Sequence, residues 1–306
     1  MIDYDSENVS STRQTPLALA RVGHWQGGLY LRYARSASSQ DSTKTSAKTV
    51  LVERRHQGPY TVQRPFYPEG DVCHSILLHP PGGLVEGDVL SLCVDCDPGS
   101  HCFLTTPSAG KTYECAHDFA VQKQVFRVQD NAALEWFPQE MILYDRSKSD
   151  LRTEIRLYGT GQFVGWEMIC LGRPVAGDYF STGDVHQLVS LYRDDKPLLL
   201  ERSRFAATHS IRSSNCGLAG YPAMGVFLMT GADKTHLQQA RDAVDALDDG
   251  VRDQIQMGFT LLEDVLVGRV LMNQSRFAKT ACIAVWTALR EEMLNIPATV
   301  PRIWFT

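Results

Sequence analysis

The feature that most constrains the fold is an alternation of apolar and polar residues with a period of two, which dominates the chain from about residue 50 to about residue 230. Successive side chains of a β-strand point to opposite faces, so such a segment predicts a half-buried strand. Similar runs recur about every eight to twelve residues with turn residues between them, which predicts a mainly β chain of stacked antiparallel sheets. In the clearest run, Leu151, Thr153, Ile155 and Leu157 alternate with Arg152, Glu154, Arg156 and Tyr158.

Two segments near the C-terminus have helical periodicity instead. The first precedes Gly250, which can cap it. The second follows Ser275, a favoured N-cap residue, and should stop at Pro297. Residues 261–271, between them, have the pattern of one or two strands. The apolar stripes of the two predicted helices are Leu237, Ala240, Val244 and Leu247, and Phe277, Ala281, Ala284, Val285, Ala288 and Leu289.

The domain organisation predicted from composition is simple. Residues 1–16 are polar and show no periodicity, which predicts a disordered N-terminal arm. No later change in composition is strong enough to divide the chain, so residues 17–306 are predicted to form a single β-rich domain. Residues 35–48 are rich in Ser, Thr and Ala and lie between two strand-like runs, so we expect a mobile loop there.

Length and charge exclude several classes of protein. A chain of 306 residues with 43% apolar content can bury a large core. Its net charge of −5 argues against nucleic-acid binding, which needs clustered Lys and Arg. We find no run of about 18 apolar residues and no signal peptide, which predicts a cytoplasmic protein without a membrane span. The eight scattered cysteines fit reduced thiols in that compartment.

An unusual turn-forming segment occupies residues 79–88, with the sequence His-Pro-Pro-Gly-Gly-Leu-Val-Glu-Gly-Asp. Two prolines fix φ and two glycines permit positive φ, so the chain must turn sharply between two apolar runs. A second turn-rich segment ends in Gly110, Lys111 and Thr112. This is not a phosphate-binding loop, because Thr105 stands where that loop needs its first glycine. Lys111 is expected in an exposed turn or at the mouth of a groove.

Four residues, Cys93, Cys96, His101 and Cys102, have spacings that resemble a metal-binding knuckle. On a strand, however, residues three apart point to opposite faces. Cys96 continues the apolar face of its predicted strand, so a packed thiol is the favoured interpretation, and a tetrahedral site would need a loop that the alternation does not supply. The sequence leaves metal binding by these residues open.

Three carboxylates stand in unusual contexts. Glu167 lies in a run that is apolar on both strand faces; it either meets solvent or, if buried, needs a cation, a metal or a proton. Glu201 follows three leucines and has the same character, with Arg202 or Arg204 as a candidate ion-pair partner. Asp88 directly follows the Pro-Gly turn and could either stabilise it or serve a function. No nucleophile triad is evident.

Six further sequence blocks follow the same order along the chain as one known family. They are residues 63–68 (Gln-Arg-Pro-Phe-Tyr-Pro), 134–140 (Leu-Glu-Trp-Phe-Pro-Gln-Glu), 165–167 (Gly-Trp-Glu), 170–174 (Cys-Leu-Gly-Arg-Pro), 197–202 (Pro-Leu-Leu-Leu-Glu-Arg) and 301–306 (Pro-Arg-Ile-Trp-Phe-Thr). Together with residues 79–88, they make the chain closely resemble the urease accessory protein UreD, also called UreH.

The resemblance implies a fold and a task. The implied fold is mainly β, a superhelical stack of antiparallel or mixed sheets with two α-helices in the C-terminal third. The implied task is not enzymatic: with UreF and UreG, a UreD protein acts as a chaperone that delivers Ni²⁺ to the urease apoprotein through an internal passage. Nickel would be in transit, and no cofactor would be permanently bound.

The residues that the resemblance implicates in the passage are Asp88, Glu167, Glu201, Gly110 and Lys111. The chain departs from the family at 108–111, where Ser-Ala-Gly-Lys replaces the usual Gly-Ala-Ser-Lys, and Glu86 replaces a customary glycine. Single carboxylates with water release Ni²⁺ faster than a cage of Cys and His. We therefore expect Glu167 and Glu201 to face an internal wet channel, and Asp88 to lie near one end of it.

Two alternatives stay open at this point. The first is a purely structural scaffold that docks UreF and UreG onto apo-urease, with the acids in structural roles. The second is a β-stack hydrolase that uses paired carboxylates such as Glu167 and Glu201. This hydrolase would need the two carboxyl groups within roughly 5–9.5 Å of each other across an open cleft.

Overall fold

The computed structural model describes residues 25–36 and 47–305. In this part the chain forms two large β-sheets, and three α-helices pack on the outer face of the second sheet. The predicted arm at residues 1–16 and most of the predicted loop at residues 35–48 lie outside the described residues.

The first sheet contains seven strands, and strands are numbered in chain order through both sheets. Its members are β1 (Gln26–Arg35), β2 (Thr49–Gln57), β5 (Val89–Cys96), β8 (Ala120–Val128), β11 (Lys148–Leu157), β13 (Asp184–Arg193) and β14 (Lys196–Ala206). In space they follow the order β14-β13-β11-β8-β5-β1-β2.

The second sheet contains ten strands. Its members are β3 (Thr61–Val62), β4 (Cys73–Leu78), β6 (His101–Thr105), β7 (Gly110–Thr112), β9 (Ala133–Phe137), β10 (Met141–Leu143), β12 (Gln162–Leu171), β15 (Ala223–Thr230), β16 (Ile255–Leu262) and β17 (Val265–Met272). The main path follows the order β16-β17-β15-β12-β9-β6-β4-β3, and β10 joins β7 to β12.

From β4 to β13 the chain passes repeatedly from one sheet to the other, so neighbouring strands within each sheet run parallel. Antiparallel pairs occur towards the ends, as in β1–β2, β13–β14 and β12–β15. This coiling confirms the expected superhelical stack. The purely antiparallel arrangement expected from the alternation alone is wrong for the interior, because turns such as residues 97–100 carry the chain across to the opposite sheet.

The main hydrophobic core fills the space between the sheets. Inward side chains such as Leu31, Val94, Phe126 and Ile155 are almost completely buried there. The alternation predicted for residues 151–157 is confirmed, since Leu151, Thr153, Ile155 and Leu157 are all buried. This core determines which face of each strand is enclosed.

The three helices are α1 (Lys234–Asp245), α2 (Asp249–Arg252) and α3 (Ser275–Leu294), and the two longer ones match the two predicted. Two predicted caps are wrong. Gly250 lies inside α2, because Asp248 accepts a backbone hydrogen bond and starts that short helix. The N-cap of α3 is Gln274, so Ser275 is its first residue, and left-handed Asn295 ends it. None of the helices in the described part of the chain is long and apolar enough to cross a bilayer.

A buried charge network joins α3 to the second sheet. Arg290, which is 0% exposed, pairs with Glu69 at 2.6 Å and with Glu135 at 2.7 Å. His74 lies 2.7 Å from Glu69, and His101 lies 2.8 Å from Glu135. Burial alone would raise the pKa of Glu69, but the hydrogen bonds with His74 and Arg290 outweigh it and lower the pKa to about 2. The same balance lowers the pKa of Glu135.

Replacing Arg290 with Met should lower the free energy of unfolding by about 3–5 kcal/mol, because two buried carboxylates lose their cation. The matched control is Arg269→Met, which removes an arginine that is 46% exposed and pairs with Glu201. Such a partly exposed pair is worth below about 1 kcal/mol. Urea denaturation followed by tryptophan fluorescence measures both values. Equal losses in the two variants would contradict the structural role assigned to Arg290.

Candidate functional site

A cavity of about 130 Å³ lies between the two sheets. It reaches from the Pro-Gly turn and the 106–111 segment to the inward faces of β8, β11, β12 and β13. A single buried water needs roughly 10–15 Å³ of such space, so the cavity has room for a hydrated ion. Its walls combine apolar side chains with several polar ones. The polar and charged lining residues are His79, Thr106, Ser108, Lys111, Gln122, Gln124, Gln139, Glu140, Glu167 and Gln187.

Strand register brings a group of polar side chains from the first sheet to this cavity. Gln122 and Gln124 lie on the same face of β8 as the buried Ala120, Phe126 and Val128, and Gln124 is paired in register with Thr153 of β11. Gln187 of β13 is paired with Leu151 of the same strand β11. Because the inward face of each strand is fixed by the core, these polar groups must point between the sheets.

Glu167 of β12 faces that polar group from the second sheet. The hydroxyl of Thr153 donates to its carboxylate, and the amides of Gln124 and Gln187 donate at 3.4 Å each. No ion pair with Glu167 occurs within residues 25–36 and 47–305, and burial, only partly offset by hydrogen bonds from Thr153 and Gln187, raises the pKa of its carboxyl. Glu167 is thus an enclosed carboxylate held by neutral donors alone.

A second, much narrower cavity of about 10 Å³ lies against the same carboxylate. Apart from Glu167 and Thr153, its lining is apolar and includes Val189 of β13, Val226 of β15 and Leu228. Glu167 therefore stands where a polar cavity meets an apolar constriction, in contact with both.

His79, the first residue of the Pro-Gly turn, also lines the larger cavity. Its Nε2 atom is buried and has no hydrogen-bond partner among the residues described. The ring packs against Trp25 and Tyr60, with centroid distances of 5.6 and 6.1 Å. Burial lowers the pKa of His79 despite the opposing effect of the Asp88 charge, which favours a neutral imidazole.

Asp88 and Glu86 stabilise loops beside the cavity and are not among its lining residues. The Asp88 carboxylate accepts a hydrogen bond from the backbone of Val85 at 3.0 Å, the contact of a turn-stabilising aspartate. Glu86 accepts from three consecutive backbone N–H groups, those of residues 116–118, and the bonds from residues 118 and 117 lower its pKa. A role for Asp88 at one end of a passage stays a prediction.

Gly110 and Lys111 both line the cavity, and they lie in the short strand β7 rather than in an exposed turn. Lys111 is held in register with Ile142 of β10. A Cβ atom at Gly110 would approach the terminal methyl of Met141 to 2.7 Å. Met141 therefore fills the space that a side chain at position 110 would need.

Glu201 is not among the residues that line either cavity. It lies on the edge strand β14 and accepts two hydrogen bonds from Arg269 of β17, at 2.9 and 2.6 Å. That Glu201 faces an interior channel with Glu167 stays a prediction, and its ion-pair partner is Arg269 rather than Arg202 or Arg204. An edge strand leaves its side chains free to reach the rim of the other sheet.

Register nevertheless places Glu201 and Glu167 in one layer of the stack. In the first sheet Thr153, Val189 and Glu201 are paired in a row across β11, β13 and β14. In the second sheet Glu167, Val226 and Arg269 form the corresponding row across β12, β15 and β17. The valines at the centre of both rows line the narrow cavity. Glu201 and Arg269 are therefore the strand neighbours, one in each sheet, of the two valines that line the constriction.

The four residues of the suspected metal knuckle do not converge on one point. Cys93 contacts Arg127, whereas Cys96 turns inward to lie 3.1 Å from Cys102, with both sulfurs buried. His101 binds Glu135 in the charge network. No group of three or more His, Cys, Asp or Glu that could hold a metal occurs in the described part of the chain.

The sequence interpretation did not single out His79, Gln124 and Gln187 as site residues. A signal for Gln124 was present in the sequence, because Gln124 shares the inward face of β8 with the apolar residues Ala120, Phe126 and Val128. A glutamine at such a position must be enclosed. Gln187 and His79 carry no comparable signal, since their positions depend on strand register and on the path of the turn.

Known proteins resemble this chain over nearly its whole length. The model of the family described as "UreD urease accessory protein" matches residues 20–305. A protein of Alcanivorax borkumensis named "Urease accessory protein UreD" is 38% identical over 298 residues, which cover 97% of this chain and 98% of the relative. Relatives of the same name from Alkalilimnicola ehrlichii and Azoarcus sp. are each 39% identical, over 92% of this chain and 92% and 94% of their own lengths.

These matches define a urease accessory protein, which is a maturation factor rather than an enzyme. Within that class, the chain belongs to the UreD family. It therefore has a role in the maturation of urease and works with urease and accessory proteins. The hydrolase alternative is excluded by this assignment, and the separate surroundings of Glu167 and Glu201 agree with its exclusion.

Replacing Glu167 with Gln should raise the stability of the protein at neutral pH. Because burial raises the pKa of Glu167, the folded protein holds this proton more tightly than the unfolded chain does. The resulting stabilisation is complete below the ordinary pKa of 4.5 and is lost as the pH rises through the raised value. The variant escapes this loss, so its melting temperature should exceed that of the natural protein by a few degrees at pH 7.

The difference in melting temperature should shrink as the pH is lowered towards 4, where the natural carboxyl is protonated. Differential scanning calorimetry at several pH values measures it. Glu154→Gln is the matched control, because Glu154 lies on the outward face of β11 and pairs with Arg156. If the Glu167→Gln protein melts at a lower temperature than the natural protein at pH 7, the conclusion that Glu167 is buried without a cation is wrong.

Proposed function

We propose that this chain delivers Ni²⁺ to the urease apoprotein, working with UreF and UreG, and that the ion moves through the space between the two sheets. The observation that carries the proposal is the surroundings of Glu167. Its carboxylate lines a cavity with room for a hydrated ion and receives only neutral hydrogen bonds. A buried carboxylate without a cation favours binding one, because its own charge is otherwise costly to bury.

The donors around Glu167 suit transit rather than storage. Carboxylate and amide oxygens with water bind divalent ions more weakly and exchange them faster than several Cys or His would. Conduction requires binding that is strong enough for entry and weak enough for release. The absence of a closed metal cage among the described residues agrees with this requirement.

The proposed route has two parts on either side of Glu167. On one side, the larger cavity extends to the segment that contains Gly110 and Lys111, close to the Pro-Gly turn and Asp88. On the other side, the constriction between Val189 and Val226 leads towards Glu201. Apolar constrictions can gate an ion path by excluding water until they widen. In this proposal a partner-induced separation of the sheet edges opens the constriction, and Glu201 leaves Arg269 to meet the ion.

The scaffold alternative is favoured by a separate observation. Val175 is 89% exposed and Tyr179 is 60% exposed, in the loop that follows β12. Two apolar side chains held this far out of the fold suit a docking contact with an accessory protein or with urease. Docking through this loop is compatible with nickel transit, and the experiment below separates the two functions.

Glu167→Ala should reduce urease activation at limiting nickel by roughly tenfold or more, since losing even a supporting contact of a metal ligand has that effect. The variant is co-expressed with apo-urease, UreF and UreG, and both urease activity and nickel content of the purified urease are measured. The control is Glu154→Ala, which changes a residue on the outward face of β11, and this variant should activate urease normally.

Pull-down of the accessory complex accompanies this assay. Reduced nickel content with an intact complex supports transit through the interior. Full activation by Glu167→Ala at limiting nickel, again with an intact complex, would leave only the scaffold function.

A further inference from the structure

The strand β14 forms one edge of the first sheet. It pairs with β13 on one side, and in the part of the chain that the structure describes no strand pairs with its other side. The pairing with β13 is regular from Leu199 to Ala206, and this stretch contains no proline. In an antiparallel pair, alternate residues turn their backbone N–H and C=O groups away from the neighbouring strand. The edge of β14 therefore presents a row of backbone donors and acceptors to which another strand can bind.

The side chains on the outer face of this edge are exposed. Leu200 is 60% exposed, and Arg202 and Arg204, two and four residues further along the strand, are exposed on the same face. Charged side chains commonly protect an edge strand from pairing with other chains, whereas an exposed leucine on the same edge works against such protection. The combination suits an edge that accepts a particular strand.

The two arginines belong to a basic patch on the outer face of the first sheet. The patch is defined by the cations in two adjacent rows of paired residues across β8, β11, β13 and β14, which are Lys123, Arg152, Arg202 and Arg204. Asp150 is the only carboxylate in these two rows, and its oxygens accept hydrogen bonds from Arg152. The patch therefore contains more positive than negative charge.

Most of this positive charge is not compensated. Lys123, Arg202 and Arg204 form no salt bridge within residues 25–36 and 47–305. His186 is paired in register with Arg204, and burial, followed by the charge of Arg204, lowers the pKa of its imidazole. The whole chain has a net charge of −5, so the basic patch has the opposite sign to the molecule that carries it. Its charge is complementary to an acidic ligand.

We propose that β14 binds an extended acidic segment of a partner protein by strand addition. The segment pairs its backbone with the free edge, its acidic side chains contact Arg202 and Arg204, and an apolar side chain packs against Leu200. Strand addition takes its affinity from backbone hydrogen bonds and its specificity from alternate side chains, and residues 200, 202 and 204 supply such side chains on one face. A nucleic acid could contact the arginines, but it could not pair with the backbone groups of the edge.

This inference goes beyond the proposed function, because it concerns how the chain meets a partner protein and does not depend on nickel transit. The test uses the full-length chain and a short fluorescent peptide as the probe. The peptide has two glutamates and one valine at alternate positions, with threonines between them, so that the three side chains share one face of an extended strand. Fluorescence anisotropy measures its affinity.

Replacing Arg202 and Arg204 together with Gln should weaken binding of the probe roughly tenfold, because two ion pairs with its glutamates are lost. The matched control is the double variant Arg54→Gln and Arg55→Gln. It removes the same charge from exposed residues of β2, the strand at the opposite edge of the same sheet, and should bind the probe normally.

Two further peptides test backbone pairing separately from charge. Both keep the side chains of the probe, but one is N-methylated on the threonines and the other on the glutamates and the valine. Successive backbone N–H groups of a strand point to opposite edges, and only one edge of the added strand faces β14. One methylated peptide should therefore lose binding, and the other should keep it.

The outcomes are distinct. Equal affinity for the two methylated peptides, or unchanged affinity of the Arg202 and Arg204 double variant for the probe, overturns the proposal. A dimer of the natural chain that this double variant breaks, measured by analytical ultracentrifugation, assigns the edge to a second copy and also overturns it. Binding of a single-stranded oligonucleotide in place of the peptide overturns it as well.

Weaker binding by the double variant, with the β2 variant unaffected and only one methylated peptide active, supports strand addition. Glu167→Ala should bind the probe normally, because Glu167 lies in the other sheet. A failure of the nickel path and a failure of this contact are thus measured separately.

Discussion

The alternation of the chain between two sheets is the constraint on which the rest of the structure depends. Each strand pairs, within its own sheet, with the strand one coil further along the chain. The register of one pair therefore determines which face of the next strand points inward. A polar residue on that face cannot turn to solvent. Gln124, Thr153 and Glu167 are enclosed for this reason, and the cavity exists because their side chains do not fill the layer that apolar residues fill elsewhere.

The chain buries charge in two different ways. At the Arg290 network every carboxylate has a cation and several hydrogen bonds, which lower the pKa of both acids despite burial. At Glu167 the cation is missing, and burial raises the pKa. The first arrangement fixes an ion pair permanently, whereas the second leaves an interior site that an external cation can occupy. Glu135 and Glu167 both stand in apolar strand segments, yet their environments differ because only Glu135 lies under α3, the helix that carries Arg290.

Much of this architecture could be predicted from sequence, and the failures have physical causes. A period of two identifies a strand and its faces, so the strand at 151–157 could be predicted. The interior position of Glu167 was expected only from the family resemblance, because both faces of its strand are apolar. The same period does not reveal which strands pair, so the parallel interior was not predictable. Glu201 follows apolar residues but lies on an edge strand, and its partner Arg269 is 68 residues away in sequence. His79 reaches the cavity only through the path of its turn, which local sequence does not specify.

The connection between Arg290 and Glu69 spans 221 residues of the chain. During synthesis on the ribosome, the turn that carries Glu69 and the strand that carries Glu135 emerge long before the helix that neutralises both acids. Until that helix arrives, the growing polypeptide exposes an uncovered sheet face and two acids awaiting their counterion. Contacts of such long range form late and slowly. A nascent chain of this kind is prone to aggregate, and a truncation that removes only the last helix should leave it unable to reach the native state.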